Sequence, residues 1–153
     1  MSVETRRDFA RLYEQEGRRV WRAVYAFAGD REVASDAVAE AFAQCIRRGE
    51  AVRDPRAWVW RTAFRIAAGE LKERRRRTTF TKEPTYEMDE PPGPLLAALA
   101  ALPGNQRAAL VLRYYAGHDT AAIADALGCS RATVRVHLSR GKRSLRGMLE
   151  GQT

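Results

Sequence analysis

Residues 102–149 read LPGNQRAALVLRYYAGHDTAAIADALGCSRATVRVHLSRGKRSLRGML, and this stretch decides the fold of the chain. Asp119 and Ser130 within it are good helix N-caps, because their side-chain oxygens accept hydrogen bonds from free backbone amides of a first helical turn. Gly128 lies between the two helices that these residues would begin. Two capped helices separated by a glycine turn predict a helix-turn-helix.

Each helix of this motif has one apolar side. Residues three or four positions apart lie on the same side of a helix, so small or apolar residues at these intervals mark the side that is buried. They are Ile123, Ala124, Leu127, Val134, Leu138, Gly141 and Leu145. We therefore expect both helices to pack on a common core.

The other side of the second helix carries no acidic residue before Glu150. Its polar positions are Arg131, Thr133, Arg135, His137, Ser139, Arg140, Lys142 and Arg143. In a recognition helix, Arg and Lys neutralise phosphates, while side chains near the N-terminus contact base edges in the major groove. This face favours DNA binding, and the alternative is a solvated basic helix that closes a small bundle.

The composition favours a polyanionic partner and argues against a metal site and a membrane span. The 153 residues carry a net charge of +8, and all but three of the 27 basic residues are arginine, which suits bidentate contact with phosphate and guanine. The two cysteines, Cys45 and Cys129, lack zinc-site spacing with the two histidines, so we expect no metal and no cofactor. No window approaches the roughly 20 apolar residues of a membrane span. We expect a cytoplasmic protein that is not inserted in a membrane.

The first part of the chain is also helical by periodicity. Apolar residues from position 3 to 28 predict two packed helices with a break at Gly17, followed by a stop at Gly29 and a new helix capped by Asp30. The residues expected in this core include Phe9, Leu12, Tyr13, Val20, Trp21, Val24, Phe27, Val33, Ala37, Ala41 and Ile46.

Two charged faces stand out in this part. Asp36 and Glu40 lie four residues apart on one helix, but no nucleophile or metal ligand accompanies them, so a protein-docking edge or simple solubility is a better interpretation than catalysis. The helix that begins at Asp54-Pro55 buries a stripe containing Trp60 and Phe64. Its basic residues on another face are Arg61, Arg65 and Lys72.

Residues 78–93 divide the chain. This segment holds three prolines and has a net charge of −3, whereas the segments before and after it are basic. We expect an all-α protein with two small helical domains, residues 1–77 and 94–153, joined by a flexible acidic linker. The second domain would be a four-helix module, in which Tyr114 and Tyr115 pack inside.

The layout resembles the extracytoplasmic-function sigma factors of bacterial RNA polymerase, which belong to the sigma-70 family. Their region 4 is similar to LP-x-x-QR from Leu102, VLRYYAG, IA-x-x-LG from Ile123, and S-x-x-TV-x-x-x-L-x-R-x-x-x-x-L from Ser130. Their region 2 is similar to GDRE from Gly29, D-x-V-x-EAF from Asp36, and DPRAW from Asp54. The resemblance covers nearly the whole chain.

This resemblance implies a promoter-specificity subunit that binds core RNA polymerase and promoter DNA, has no enzymatic activity, and is often held by an anti-sigma factor. Asp36 and Glu40 would dock on the clamp helices of the largest polymerase subunit. The residues implied for base edges of the −35 element are Arg131, Arg135, Val136 and Ser139. Those implied for its phosphates are Thr133, Arg140, Lys142 and Arg143. Those implied for the −10 strand are Arg61, Arg65 and Lys72.

One departure concerns the −10 helix, where Arg65 and Gly69 stand in place of the Asn and Asp common in the family. We therefore expect an unusual −10 preference. Two rival hypotheses are a helix-turn-helix regulator that acts without replacing the sigma subunit and a small nuclease, although the sequence has no clustered His or carboxylate set for the latter.

Overall fold

The computed structural model describes residues 3–77 and 93–151, and every regular element in these ranges is helical, as predicted. The first half contains α1 (Val3–Ala28), α2 (Arg31–Arg48), a 3-10 turn (Gly49–Ala51) and α3 (Pro55–Arg77). The second half contains α4 (Pro94–Ala100), α5 (Gly104–Leu110), a π-helical turn (Val111–Tyr115), α6 (Thr120–Leu127) and α7 (Arg131–Glu150). The predicted linker lies outside the described residues, except for Gly93.

Glycine and aspartate set the helix boundaries of the first half. Gly29 adopts a positive φ of 68° after α1, and Asp30 Oδ1 accepts a hydrogen bond from the Val33 amide at 3.0 Å to cap α2. Asp54 caps α3 in the same way, accepting from the Ala57 amide at 3.1 Å. These two boundaries confirm the predicted stops and starts.

Helix α1 is continuous, so the predicted break at Gly17 is wrong. Its buried side extends on both sides of this glycine, from Phe9 to Phe27. Burial of this long side outweighs the roughly 1 kcal/mol that an interior glycine costs a helix relative to alanine.

Four residues that were expected in the core lie at the surface. Tyr13, Ile46, Tyr114 and Tyr115 are between 42% and 62% exposed. The Tyr13 ring still contacts Phe42 edge-on, with 5.1 Å between ring centroids. Helical spacing places a residue on a side of its helix, but it does not determine whether another element covers that position.

A single apolar core joins the two halves. Leu112 of the π-helical turn and Ile123 of α6 are fully buried in the same cluster as Val20 of α1 and Val59 of α3. A smaller cluster, formed around Leu99, Leu102 and Leu110, packs α4 and α5 against α7. The division into two domains stays a prediction, since the halves are in contact in this structure.

A buried arginine also connects the halves. Arg107 at α5 is only 3% exposed, and its Nε donates to the carbonyl of Phe27 at the end of α1 over 2.7 Å. Its Nη1 donates to the carbonyl of Leu102 over 2.7 Å. These bonds satisfy late carbonyls of α1 and of the turn before α5, which have no partner within a helix.

Candidate nucleic-acid interface

The helix-turn-helix has the predicted local chemistry. Asp119 Oδ1 accepts from the Ala122 amide at 2.8 Å and caps α6. Gly128 adopts the left-handed conformation at φ 67°, which glycine reaches without steric cost. Ser130 Oγ accepts from the Thr133 amide at 3.1 Å and caps α7. The two caps and the turn fix the angle at which α7 leaves α6.

Packing of α7 against α5 leaves its polar side in solvent. Val134 is fully buried, and a Cβ atom built on Gly141 would lie only 3.1 Å from a methyl group of Leu110. Glycine at this position therefore allows α7 to approach α5 closely. The opposite side of α7 faces outward over about five turns.

That outward side contains the predicted DNA-contacting residues. Those exposed to solvent are Arg131, Arg135, Val136, Ser139, Arg140, Lys142 and Arg143. Thr133 is half-buried, and its hydroxyl lies 2.9 Å from Ser130 Oγ. Thr133 is thus part of the helix cap, and its hydroxyl already has a hydrogen-bond partner at the start of α7.

Two residues that the sequence did not single out lie beside this face. Arg113 of the π-helical turn and Thr120 of α6 line a polar cleft of about 770 Å³ together with Arg135, Ser139, Lys142 and Arg143. Thr120 directly follows the N-cap of α6, a position where backbone amides attract anions. Its place beside a predicted N-cap could have identified Thr120 from the sequence, whereas Arg113 reaches the cleft only through the π-helical turn.

The three predicted basic residues on α3 differ in their exposure and contacts. Arg65 and Lys72 are exposed, as predicted. Arg61 is 29% exposed, and its Nη1 lies 2.8 Å from Oδ2 of Asp125 on α6. One of the three predicted −10 residues therefore already has a carboxylate partner in the other half of the chain.

The acidic edge of α2 is exposed, while other sides of this helix pack on α1 and α3. Glu40 accepts hydrogen bonds from Gln44 at 2.9 Å and from Arg47 at 3.0 Å. The Gln44 bond, followed by the Arg47 bond, lowers the pKa of Glu40 below its ordinary value of 4.5. Glu40 is consequently charged at neutral pH, and Asp36 is exposed one turn earlier.

His118 lies where the helix-turn-helix half meets α3. Its ring contacts Trp60 edge-on at 5.0 Å between centroids, and its Nδ1 is buried without a hydrogen-bond partner in the described part of the chain. Burial lowers the pKa of His118 below its ordinary value of 6.5, and the neighbouring Arg19 cation lowers it further. The folded protein therefore favours the neutral imidazole.

We expect this histidine to make the free energy of unfolding pH-dependent. Because its folded pKa lies below the unfolded value, its contribution is complete above about pH 6.5 and declines as the pH falls below that value. Urea titrations from pH 7.5 to 5.5 measure the decline. His118→Phe keeps an aromatic ring on Trp60 and should flatten the curve over this interval; an unchanged slope in this variant contradicts the assignment.

No three His, Cys, Asp or Glu residues come together as a metal site in residues 3–77 and 93–151. Cys45 is buried, Cys129 is half-buried, and both are free thiols. Burial raises the pKa of each thiol. Over the described part of the chain, no helix combines the length and apolarity needed to cross a bilayer.

Comparison with known proteins finds similar sequences. Residues 93–145, which include the helix-turn-helix, match the family model described as Sigma-70, region 4. Over 154 aligned positions the chain is 29% identical to SigL of Mycobacterium tuberculosis, an ECF RNA polymerase sigma factor, and the alignment covers 91% of this chain and 87% of SigL. The chain is thus similar to the extracytoplasmic-function sigma factors of the sigma-70 family.

Solved structures share the fold of this chain. RpoE of Bartonella quintana, determined in complex with the anti-sigma factor NepR, superposes with a TM-score of 0.78 at 16% identity, covering 94% of this chain and 97% of RpoE. CnrH, determined with the cytosolic domain of CnrY, superposes with a TM-score of 0.69 at 20% identity, covering 97% and 91% of the two chains. The all-α arrangement of both halves is thus a known sigma-factor fold.

Proposed function

We propose that this chain is a sigma factor, the promoter-specificity subunit of a bacterial RNA polymerase. It binds the core enzyme, recognises the −35 and −10 promoter elements, and takes part in opening the DNA. The observation that carries the proposal is the exposed cationic side of α7, held by two capped helices inside the segment that matches Sigma-70, region 4. A basic face on α3 and an acidic edge on α2 in the same chain support the two further roles.

The −35 contacts are proposed for α7 and divide by position. The base-edge residues are Arg131, Arg135, Val136 and Ser139, and the phosphate residues are Thr133, Arg140, Lys142 and Arg143. The exposure of seven of these eight side chains supports the assignment. Guanidinium groups near the helix N-terminus are suited to bidentate contact with guanine, whereas contacts further along the helix fix its position on the backbone.

We expect Arg135→Ala and Lys142→Ala to separate these two roles. Arg135→Ala removes a base contact and should reduce discrimination at one −35 position by about 1–3 kcal/mol. Lys142→Ala removes a phosphate contact, so it should weaken binding to all sequences alike and lower the slope of log K against log salt by about 1. Fluorescence anisotropy with a set of single-base duplex variants measures both quantities, and equal losses on every sequence for both variants contradict the division.

The remaining contacts are proposed for the first half of the chain. Arg61, Arg65 and Lys72 of α3 bind the −10 strand, with an extruded non-template base held near the 3-10 turn. Extrusion costs a few kcal/mol of stacking, which contacts in the polymerase-bound complex must recover. Asp36 and Glu40 of α2 dock on core polymerase, as their exposure and the charged state of Glu40 support.

We also propose regulation by an anti-sigma factor in the cytoplasm. An apolar groove of about 840 Å³ runs between the halves, and its lining includes Tyr25, Leu99 and Leu145 with Arg22 and Arg146 among its basic residues. An amphipathic helix with acidic flanks would match the apolar lining and the basic residues of this groove. One similar structure contains the sigma factor RpoE bound to the anti-sigma factor NepR, which further supports this proposal.

Reconstitution with core polymerase tests the function as a whole. Holoenzyme containing this chain should select promoter fragments from a genomic library and begin transcription at one position on each. A regulator that acts without replacing the sigma subunit would bind DNA but give no transcription with core polymerase alone. We propose no chemistry for the chain itself, and cleavage of labelled DNA in the presence of Mg²⁺ would contradict this.

A further inference from the structure

Four arginines form a row along the exposed side of α1. The members of this α1 arginine row are Arg7, Arg11, Arg18 and Arg22. Their spacings of four, seven and four residues place them on one side of the helix, and all four are exposed. Glu4 and Glu14 lie near the same side, but no ion pair joins either carboxylate to the row within the described part of the chain. The arginines outnumber these acids two to one, so the side is cationic.

The arginines of α3 are in a different state. Five of the seven arginines on this helix lie within ion-pair distance of a carboxylate, and these are Arg56, Arg61, Arg74, Arg76 and Arg77. An ion pair partly neutralises a guanidinium and occupies some of its hydrogen-bond donors. The α1 arginine row therefore keeps more of its positive charge for an anionic partner than the arginines of α3 do.

The row reaches the proposed DNA-binding side of α7 at one end. Arg22 lines the apolar groove between α1 and α7 together with Lys142 and Arg146. Lys142 and Arg146 also line the polar cleft beside the recognition face, where Arg143 joins them. Glu150 is the one carboxylate in the lining of either the groove or the cleft among the residues that the structure describes. Positive side chains thus continue from the recognition face of α7 onto α1.

The length of the row suits the backbone of a nucleic-acid duplex. An α-helix rises about 1.5 Å per residue, so Arg7 and Arg22 are separated by roughly 22 Å along the axis of α1. B-DNA advances about 3.4 Å per base pair, so this length corresponds to roughly six base pairs. Guanidinium groups bind phosphate oxygens through paired hydrogen bonds, and such contacts need no particular base sequence.

We propose that the α1 arginine row binds the phosphate backbone of the same duplex DNA that α7 contacts, so that α1 extends the DNA contact beyond the helix-turn-helix. The inference rests on the proposed function, because that function makes α7 the duplex-binding helix. Charge complementarity and continuity with the face of α7 both favour duplex DNA over an acidic protein partner. The α1 contacts add affinity for every sequence alike and leave discrimination between sequences to α7.

The test combines Arg11→Gln with Arg18→Gln in the full chain. Both residues are exposed, and neither lines the groove or the cleft, so the substitutions leave the surface of α7 intact. Fluorescence anisotropy measures binding to a labelled mixed-sequence duplex of about 30 base pairs, roughly three turns of B-DNA, over a range of salt concentrations. Each lost phosphate contact lowers the slope of log K against log salt by about 0.9, so the double variant should lose nearly 2. Its affinity at about 0.1 M salt should fall at least about tenfold.

A matched control separates this effect from a general loss of positive charge. Arg47→Gln combined with Arg76→Gln removes two charges from arginines that already pair with Glu40 and Glu73. This control should keep both the salt slope and the affinity of the unmodified chain. An unchanged slope in the α1 variant overturns the inference, and so does an equal fall in the control.

Capture on core polymerase and transcription by reconstituted holoenzyme are measured in parallel. An α1 variant that keeps its salt slope on DNA but loses capture by the polymerase identifies the row as a protein contact and overturns the inference. Absence of transcription with the unmodified chain overturns the proposed function whatever the slopes are. Transcription together with an unchanged slope in the α1 variant overturns the inference alone.

Discussion

We expect Asp36→Arg combined with Glu40→Arg to lower the affinity of the chain for core RNA polymerase by at least about a hundredfold. Both residues are exposed on α2, away from the junction between the halves. Reversing two charges at a docking edge replaces favourable contacts with like-charge contacts, which cost several kcal/mol at an interface. The hydrogen bonds to Glu40 come from Gln44 and Arg47 of the same helix, so folding does not depend on a distant partner.

Affinity capture on immobilised core enzyme measures this loss, with circular dichroism as the check on folding. Asp8→Arg combined with Glu14→Arg is the matched control, because it reverses two exposed acidic residues on α1. The control should be captured like the unmodified chain, and both variants should still bind −35 duplex through α7. Full capture of the α2 variant would remove α2 from the proposed polymerase contact.

Leu112→Ala lowers the free energy of unfolding by about 2–5 kcal/mol. Leu112 is fully buried in the core that the two halves share, where it belongs to the same cluster as Val20 and Val59. Truncation removes buried methyl groups and leaves a cavity lined by both halves, which the packed helices cannot fill without shifting.

Urea denaturation followed by circular dichroism measures this change. Leu95→Ala is the control, since the same substitution at a 52% exposed position should cost less than about 1 kcal/mol. A small loss for Leu112→Ala would mean that the halves do not depend on the shared core. Two separate unfolding transitions in the unmodified chain would likewise show that the halves do not depend on the shared core. They would also support the predicted division into two domains.

Much of the local structure was determined by the sequence. Asp30, Asp54, Asp119 and Ser130 cap the helices that they were predicted to begin, because a capping oxygen acts on amides only two or three residues away. Helical spacing likewise identified the exposed cationic side of α7. Spacing was less informative where coverage by a distant element mattered, as the surface positions of Tyr13 and Tyr114 show.

The candidate DNA-binding site shows the same contrast between what a local pattern predicts and what tertiary contacts decide. The predicted −35 residues are on one exposed surface because they share one helix, and a helix fixes their relative positions. The addition of Arg113 to that surface needed the π-helical turn, which no sequence pattern indicated. Their individual roles in DNA binding stay predictions.

By itself, then, the sequence determined which residues form helices, where those helices begin, and which side of α7 carries positive charge, since each depends on interactions within a few positions. Only the tertiary structure decided that Arg107 joins α5 to the end of α1 and that Asp125 holds Arg61. Those contacts link residues 80 and 64 positions apart. Both contacts form because burial of a common core brings the two halves of the chain together, and no local pattern encodes that arrangement.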